Sequence, residues 1–204
     1  MCSGCHRTIF SVHTTKLRRR EYIRWRRTVD PRVLYFFDET GFASDTDLRV
    51  YGRCESGFAL PSYQAKSGAT AHSVLGVVGY REGVITAIPI KDNYNTVLVN
   101  EVIQNQVLPL LPRNCYLVAD NASIHNNAEL ANILAIKNIT LVKLPAYSYD
   151  LNPIEMVFGL AKAMARKNPG ALKDNALLAT VDSFIQISPV TVRKYYQRSW
   201  RIAS

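Results

Sequence analysis

Long apolar runs are missing from this chain: the longest stretches reach six to eight residues, against the roughly 20 that a bilayer-spanning helix requires. A transmembrane helix is therefore excluded, and no membrane partner is expected. The first thirty residues are basic and have no apolar central region, so they do not read as a secretory leader. Cysteine is scarce, four among 204 residues, which excludes a disulfide scaffold and fits a reducing compartment. Cys2, Cys5 and His6 spell the C-x-x-C-H pattern of covalent haem attachment, but they sit at a polar terminus with no apolar pocket in reach. Cys54 and Cys115 stand alone and cannot complete a zinc site, so the four read as free thiols. No internal repeat is present, which removes solenoid architectures. Acids are also in deficit: sixteen against twenty-five Lys and Arg, for a net charge of +9 and a pI near 9.5. That balance favours a polyanionic partner, nucleic acid first.

What the chain does contain is enough apolar residue, 48%, for one substantial core. Residues 1–30 form a basic arm, helical or loosely ordered, in which Lys16, Arg18, Arg19, Arg20, Arg24, Arg26 and Arg27 alternate with Tyr22 and Trp25. Residues 31–170 carry the pattern of a folded domain, and 171–204 that of a basic helical extension. Val33-Leu34-Tyr35-Phe36-Phe37 is a run of β-formers that predicts a buried strand stopping at Asp38. Runs at 73–80 and 84–90 predict a hairpin turned at Arg81-Glu82-Gly83, and 48–53 adds a short strand. Helical spacing over 96–111 predicts one helix closed by Pro112. Cys115-Tyr116-Leu117-Val118-Ala119 predicts a second buried strand, ending at Asp120. A short helix at 127–136, a strand at 140–144, and helices at 153–168 and 174–186 complete the order. Strands first, then alternating helix and strand, imply an α/β fold: a mixed sheet flanked by helices.

Two apolar strands that each stop at an aspartate hold those side chains rigidly at one sheet edge, as a metal site requires. A third acid follows in Asp150-Leu151-Asn152-Pro153-Ile154-Glu155. Asn152 suits a helix N-cap, Pro153 the first helical position and Glu155 the third. Singly, each acid has an ordinary explanation. Asp38 fits a turn, Asp120-Asn121 an Asx turn or cap, and Asn152-x-x-Glu155 a capping box whose only role is to start a helix. Collectively they are a different matter. Three carboxylates within about 4 Å repel by roughly 4 kcal/mol per pair at an effective dielectric near 20. Such a cluster calls for cations, and carboxylate oxygens select hard ones such as magnesium or manganese.

Asp38-Glu39-Thr40-Gly41-Phe42, Asp120-Asn121-Ala122-Ser123-Ile124-His125 and the run from Leu144-Pro145-Ala146-Tyr147 to Asn152-Pro153-Ile154-Glu155 resemble the three signature blocks of mariner-superfamily transposases and their bacterial insertion-sequence relatives. The resemblance covers residues 32–168 and includes the spacing between the second and third acids. It implies a ribonuclease H-like fold and a DDE endonuclease and strand transferase. Asp38, Asp120 and Glu155 are then the catalytic residues, holding two Mg2+ or Mn2+ ions. Asn121 and Asn152 are hydrogen-bond supports for the ligands. Glu39, Asp45, Asp47 and Asp150 read as solvated or supporting acids, and His125 as a residue that orients a loop. Tyr149 stands where relatives carry proline and Phe158 where tryptophan is common.

The partner so implied is double-stranded DNA, both transposon ends and target, with a homodimer as the working form. The place is the nucleus of a eukaryote or otherwise the cytoplasm at the nucleoid. Arg18, Arg19, Arg20, Arg24, Arg26, Arg27, Lys162, Arg166 and Lys167 are the candidates for phosphate contact, with Arg193, Lys194, Arg198 and Arg201 behind them. The same residues also suit ordinary solvated faces. The paired helix-turn-helix modules of complete relatives are expected to be missing. Two alternatives accompany this reading: a catalytically inactive, truncated or domesticated DNA-binding module, and a nuclease acting on RNA-DNA hybrids.

Overall fold

The computed structural model describes residues 5–42, 71–125, 128–167, 171 and 175–201, with side chains from residue 16 onward except at 123. The strand expected at 48–53, the acids Asp45 and Asp47, the side chains of the Cys2-to-His6 motif and Cys54 lie outside the described residues.

Five strands form one mixed sheet: β1 (Leu34–Phe42), β2 (His72–Gly79), β3 (Gly83–Ile90), β4 (Tyr116–Ala119) and β5 (Thr140–Lys143), in the order β3-β2-β1-β4-β5. β1, β2 and β3 pair antiparallel, and β4 and β5 extend the sheet in parallel from β1. Gly83, at φ +83°, takes the left-handed conformation that turns the β2–β3 hairpin. Alternation along β1 feeds two cores. Leu34 and Phe36 join Tyr22, Ile154, Phe158, Phe184 and Tyr196 on one face. Tyr35 and Phe37 join Val99, Ile103, Leu130 and Leu134 on the other. A strand covered on both sides reads as continuously apolar, which is why 33–37 carries no polar residue.

The first face is covered by α1 (Cys5–Thr28), α4 (Pro153–Ala165), α5 (Ala176–Ile185) and α6 (Pro189–Arg201), and the second by α2 (Thr96–Val102) and α3 (Ala128–Ala135). The described parts of the arm and of the extension thus share a core with the sheet. Tyr196 of α6 is buried, and its hydroxyl reaches the Leu34 and Val78 carbonyls at 3.0 and 3.1 Å. Gly76 of β2 lets α4 approach the sheet, since a Cβ there would stand 2.8 Å from the Phe158 ring.

Two sequence expectations change. β1 does not stop at Asp38. Its parallel pairing with β4 ends at Phe36–Val118, but its antiparallel pairing with β2 continues to Phe42–His72, so Asp38 lies where one ladder ends and the other runs on. The helix expected over 96–111 is also not uniform. After α2 the backbone widens into a π turn at Ile103–Val107 and tightens into a 3-10 turn at Leu108–Leu110. Pro109 supplies the reason, because it has no N–H to give and its ring crowds the carbonyl four residues back.

Candidate active site

The β1–β4 register pairs Leu34 with Tyr116, Tyr35 with Leu117 and Phe36 with Val118. Two residues further on, Asp38 and Asp120 come out level on neighbouring strands. Asp38 shares the parity of Phe36, which faces α4, whereas Asp120 follows the end of β4 and its carboxylate turns to His125. Asp38 is buried, 8% exposed, whereas the Asp120 side chain is 44% exposed. Burial pushes the Asp38 carboxyl up to about 8, and the charges of Asp120, Glu39 and Glu155 add to the push. The backbone N–H of Glu39 opposes it, donating to Asp38 Oδ1 at 2.9 Å.

Asn152 serves two elements at once. Its Oδ1 accepts from the Ile154 N–H at 3.3 Å and caps α4, while its Nδ2 donates to Asp38 Oδ2 at 3.1 Å. The capping box expected from Asn152-x-x-Glu155 does not form, because the Asn152 N–H already donates to the Tyr149 carbonyl at 2.9 Å. Nothing then ties the Glu155 carboxylate to the helix start. It projects from the first turn of α4 as an exposed residue. Partial withdrawal from water raises its pKa; Lys162 opposes the rise and Asp120 reinforces it. The three acids therefore sense one another electrostatically. Among the described residues, no three His, Cys, Asp or Glu side chains stand together as a finished cage.

Asp120 has the opposite electrostatics. Its pKa is lowered, chiefly by His125, whose Nδ1 lies 2.7 Å from Asp120 Oδ1. His125 Nε2 meets Glu39 at 2.8 and 3.0 Å, and the fully buried ring packs against Phe37 with centroids 4.7 Å apart. Burial works against charge on His125, but the two carboxylates outweigh it and carry the pKa to about 9. An imidazolium thus bridges Asp120 and Glu39. The side chains of Asp38 and Glu39, successive in β1, face opposite sides of the sheet: one meets Asn152, the other His125. Lys143 of β5 donates to the His125 carbonyl and holds the same loop. Sequence alone marks His125 as a loop-orienting residue but gives no signal for its pairing with Glu39. Asn121 is exposed.

The basic candidates separate by burial. Arg18, Arg20, Arg24, Arg27 and Lys167 are exposed, and Lys162 and Arg166 are half-buried. Lys162 Nζ stands 5.5 Å from the centroid of the Phe42 ring. Arg19 is engaged by Asp150 through two bonds of 2.8 and 2.5 Å. Arg26 is withdrawn from the phosphate-contact set: it is 1% exposed, donates to the Ser199 and Leu151 carbonyls at 2.8 and 3.3 Å, and lies 4.2 Å over Trp200. Its place on α1 points it into the core, where burial lowers its pKa.

A family model described as DDE superfamily endonuclease matches residues 33–177. No curated protein sequence matches significantly. Among solved structures, the Mos1 transposase paired-end complex with left transposon end is similar at 15% identity and TM-score 0.70, over 93% of this chain and 61% of that one. The Mos1 Strand Transfer Complex gives 15% identity and 0.69, over 93% and 60%. The Mos1 mariner paired end complex with Mn gives 14% and 0.60, over 93% and 62%. The chain thus spans about three fifths of the length of these relatives. At such identity the likeness is one of fold: the ribonuclease H-like mixed sheet of transposase catalytic cores. Sharing that sheet, and with the family model spanning most of its length, the chain belongs to the DDE superfamily endonuclease family.

Proposed function

We propose that this chain cleaves and joins DNA as the catalytic part of a transposase, with Asp38, Asp120 and Glu155 as the ligands of two divalent ions, Mg2+ or Mn2+. The observation that carries the reading is the placement of Asp38 and Asp120 level on neighbouring strands, with the start of the helix that bears Glu155 tied to Asp38 through Asn152. Asp38 is held to about 8 by burial and by its acidic neighbours, an arrangement that a cation relieves. The donors fit such an ion, being hard carboxylate oxygens carried by two neighbouring strands and a helix start. Bound, the ions supply activation of the attacking water or 3′-hydroxyl and stabilise the leaving oxygen.

The remaining work falls to the protein. Asn152 orients Asp38, the His125–Glu39 pair fixes Asp120, and uncapped Glu155 completes the set from the more solvated side. Arg18, Arg20, Arg24 and Lys167 offer exposed cations to phosphates. Transposon ends and target DNA as substrates, a homodimer as the working assembly and a nuclear or nucleoid location belong to the same proposal. A plasmid-nicking assay with Mg2+ or Mn2+ tests it: the chain nicks DNA, and Asp120→Asn or Glu155→Gln abolishes nicking. Glu155→Gln leaves the melting temperature of the metal-free protein within about 2 °C, since the side chain holds no cap. Salt-sensitive DNA binding without metal-dependent cleavage overturns the enzyme reading in favour of a binding module. Preference for an RNA-DNA hybrid favours the hybrid nuclease.

A further inference from the structure

The segment 145–151 is fastened at both ends beside the candidate carboxylates. At the start, the Leu144 N–H donates to the Ala119 carbonyl at 2.8 Å, one residue before Asp120. At the end, Asn152 Nδ2 reaches Asp38. Between these anchors the usual burial rule is inverted. Ser148, small and polar, is 3% exposed, whereas Tyr147 and Tyr149 are 90% and 72% exposed. Tyr147 also has a left-handed backbone, φ +58°. The other two non-glycine residues with positive φ among those described are Asn114 and Asn138, a residue type that tolerates it. A bulky aromatic held in that conformation gains no packing in return, and strain of this kind marks functional positions.

We propose that Tyr147 and Tyr149 form a stacking platform for an unpaired base of the DNA strand beside the scissile phosphate, an inference that rests on the DNA-cleaving reading above. An exposed ring whose loop is fixed at both ends offers a rigid face, and bases stack on aromatic rings with little dependence on sequence. Bases exposed next to a cleavage site become unstacked when the duplex opens, so such a platform favours opened over intact DNA. Tyr149 lies two residues on in the same rim and provides a second ring.

The test uses the full chain in chelator, with duplexes that are either intact or carry a short unpaired stretch containing 2-aminopurine. Wild type binds the opened DNA about tenfold or more tightly than the intact duplex and quenches the 2-aminopurine. Tyr147→Phe keeps both effects. Tyr147→Gly, which suits φ +58° and so leaves the fold intact, loses most of the preference and the quenching, and Tyr149→Ala reduces both. Full preference and quenching in Tyr147→Gly, or none in wild type, overturns the platform; if metal-dependent nicking persists, the catalytic reading stands without it. Failure of wild type to bind or nick any DNA overturns both.

Discussion

Asp38→Asn should make the metal-free protein more stable at neutral pH and less stable in acid. The carboxyl titrates near 3.8 when unfolded and near 8 when folded. A group raised by folding contributes stability that is fully present below about pH 4 and is lost as pH rises through about 8. At pH 7, roughly three units above the unfolded value, the wild type carries a penalty of about 4 kcal/mol at 1.36 kcal/mol per unit. Asparagine removes the charge at nearly the same volume, and its Oδ1 still accepts from Glu39. Its Nδ2 would confront the Asn152 Nδ2, which cannot turn away because Oδ1 of Asn152 caps α4. That donor conflict costs about 1–2 kcal/mol. The net gain is about 2–3 kcal/mol, or roughly 4–12 °C in Tm for a chain of this size. Thermal melts in chelator at about pH 7.5 and about pH 3, below the unfolded pKa, read it: the variant melts higher at the first and lower at the second. Divalent metal raises the wild type and leaves the variant unmoved. A variant that melts below wild type at both pH values would show that Asp38 is not under the electrostatic stress described.

His125→Gln removes the cation between Asp120 and Glu39 and should cost about 3 kcal/mol in urea unfolding near pH 6, because two carboxylates lose their partner. With its pKa raised to about 9, the His125 contribution is fully present below about 6.5 and lost as pH rises through about 9, so the two proteins should converge at higher pH; a constant difference refutes the imidazolium bridge. Arg26→Ala should destabilise by about 3 kcal/mol through lost packing and two lost carbonyl bonds without altering the salt dependence of DNA binding. Arg24→Ala should leave stability unchanged and reduce the salt slope by about one. Equal effects of the two substitutions on that slope would return Arg26 to the phosphate-binding set.

The carboxylate edge is legible in the sequence because period and punctuation agree there: apolar runs that end in acids place side chains at one sheet edge whatever the rest of the chain does. The extent of β1 is not, because the edge of β2 that pairs with 38–42 is remote in sequence. The capping box is a case of two geometries with one pattern. Asn152-x-x-Glu155 is compatible with a reciprocal bond, and only the tertiary placement of the Tyr149 carbonyl decides against it. Arg26 shows the limit of reading charge as surface. Six neighbouring cations on α1 share its composition, and which one faces inward depends on where Trp200 and Ser199 pack, more than 170 residues later.

The level placement of Asp38 and Asp120 has a bearing on how such a chain can change. Loops on either side of the two strands can lengthen or shorten without moving either acid, since the ladder between Leu34–Phe36 and Tyr116–Val118 sets their height. A single residue inserted within 34–37 is another matter. It would turn Asp38 toward the His125 side of the sheet and bring Phe37 to the site. Deletions and insertions tolerated in this chain should therefore fall outside two short windows, each ending at an aspartate.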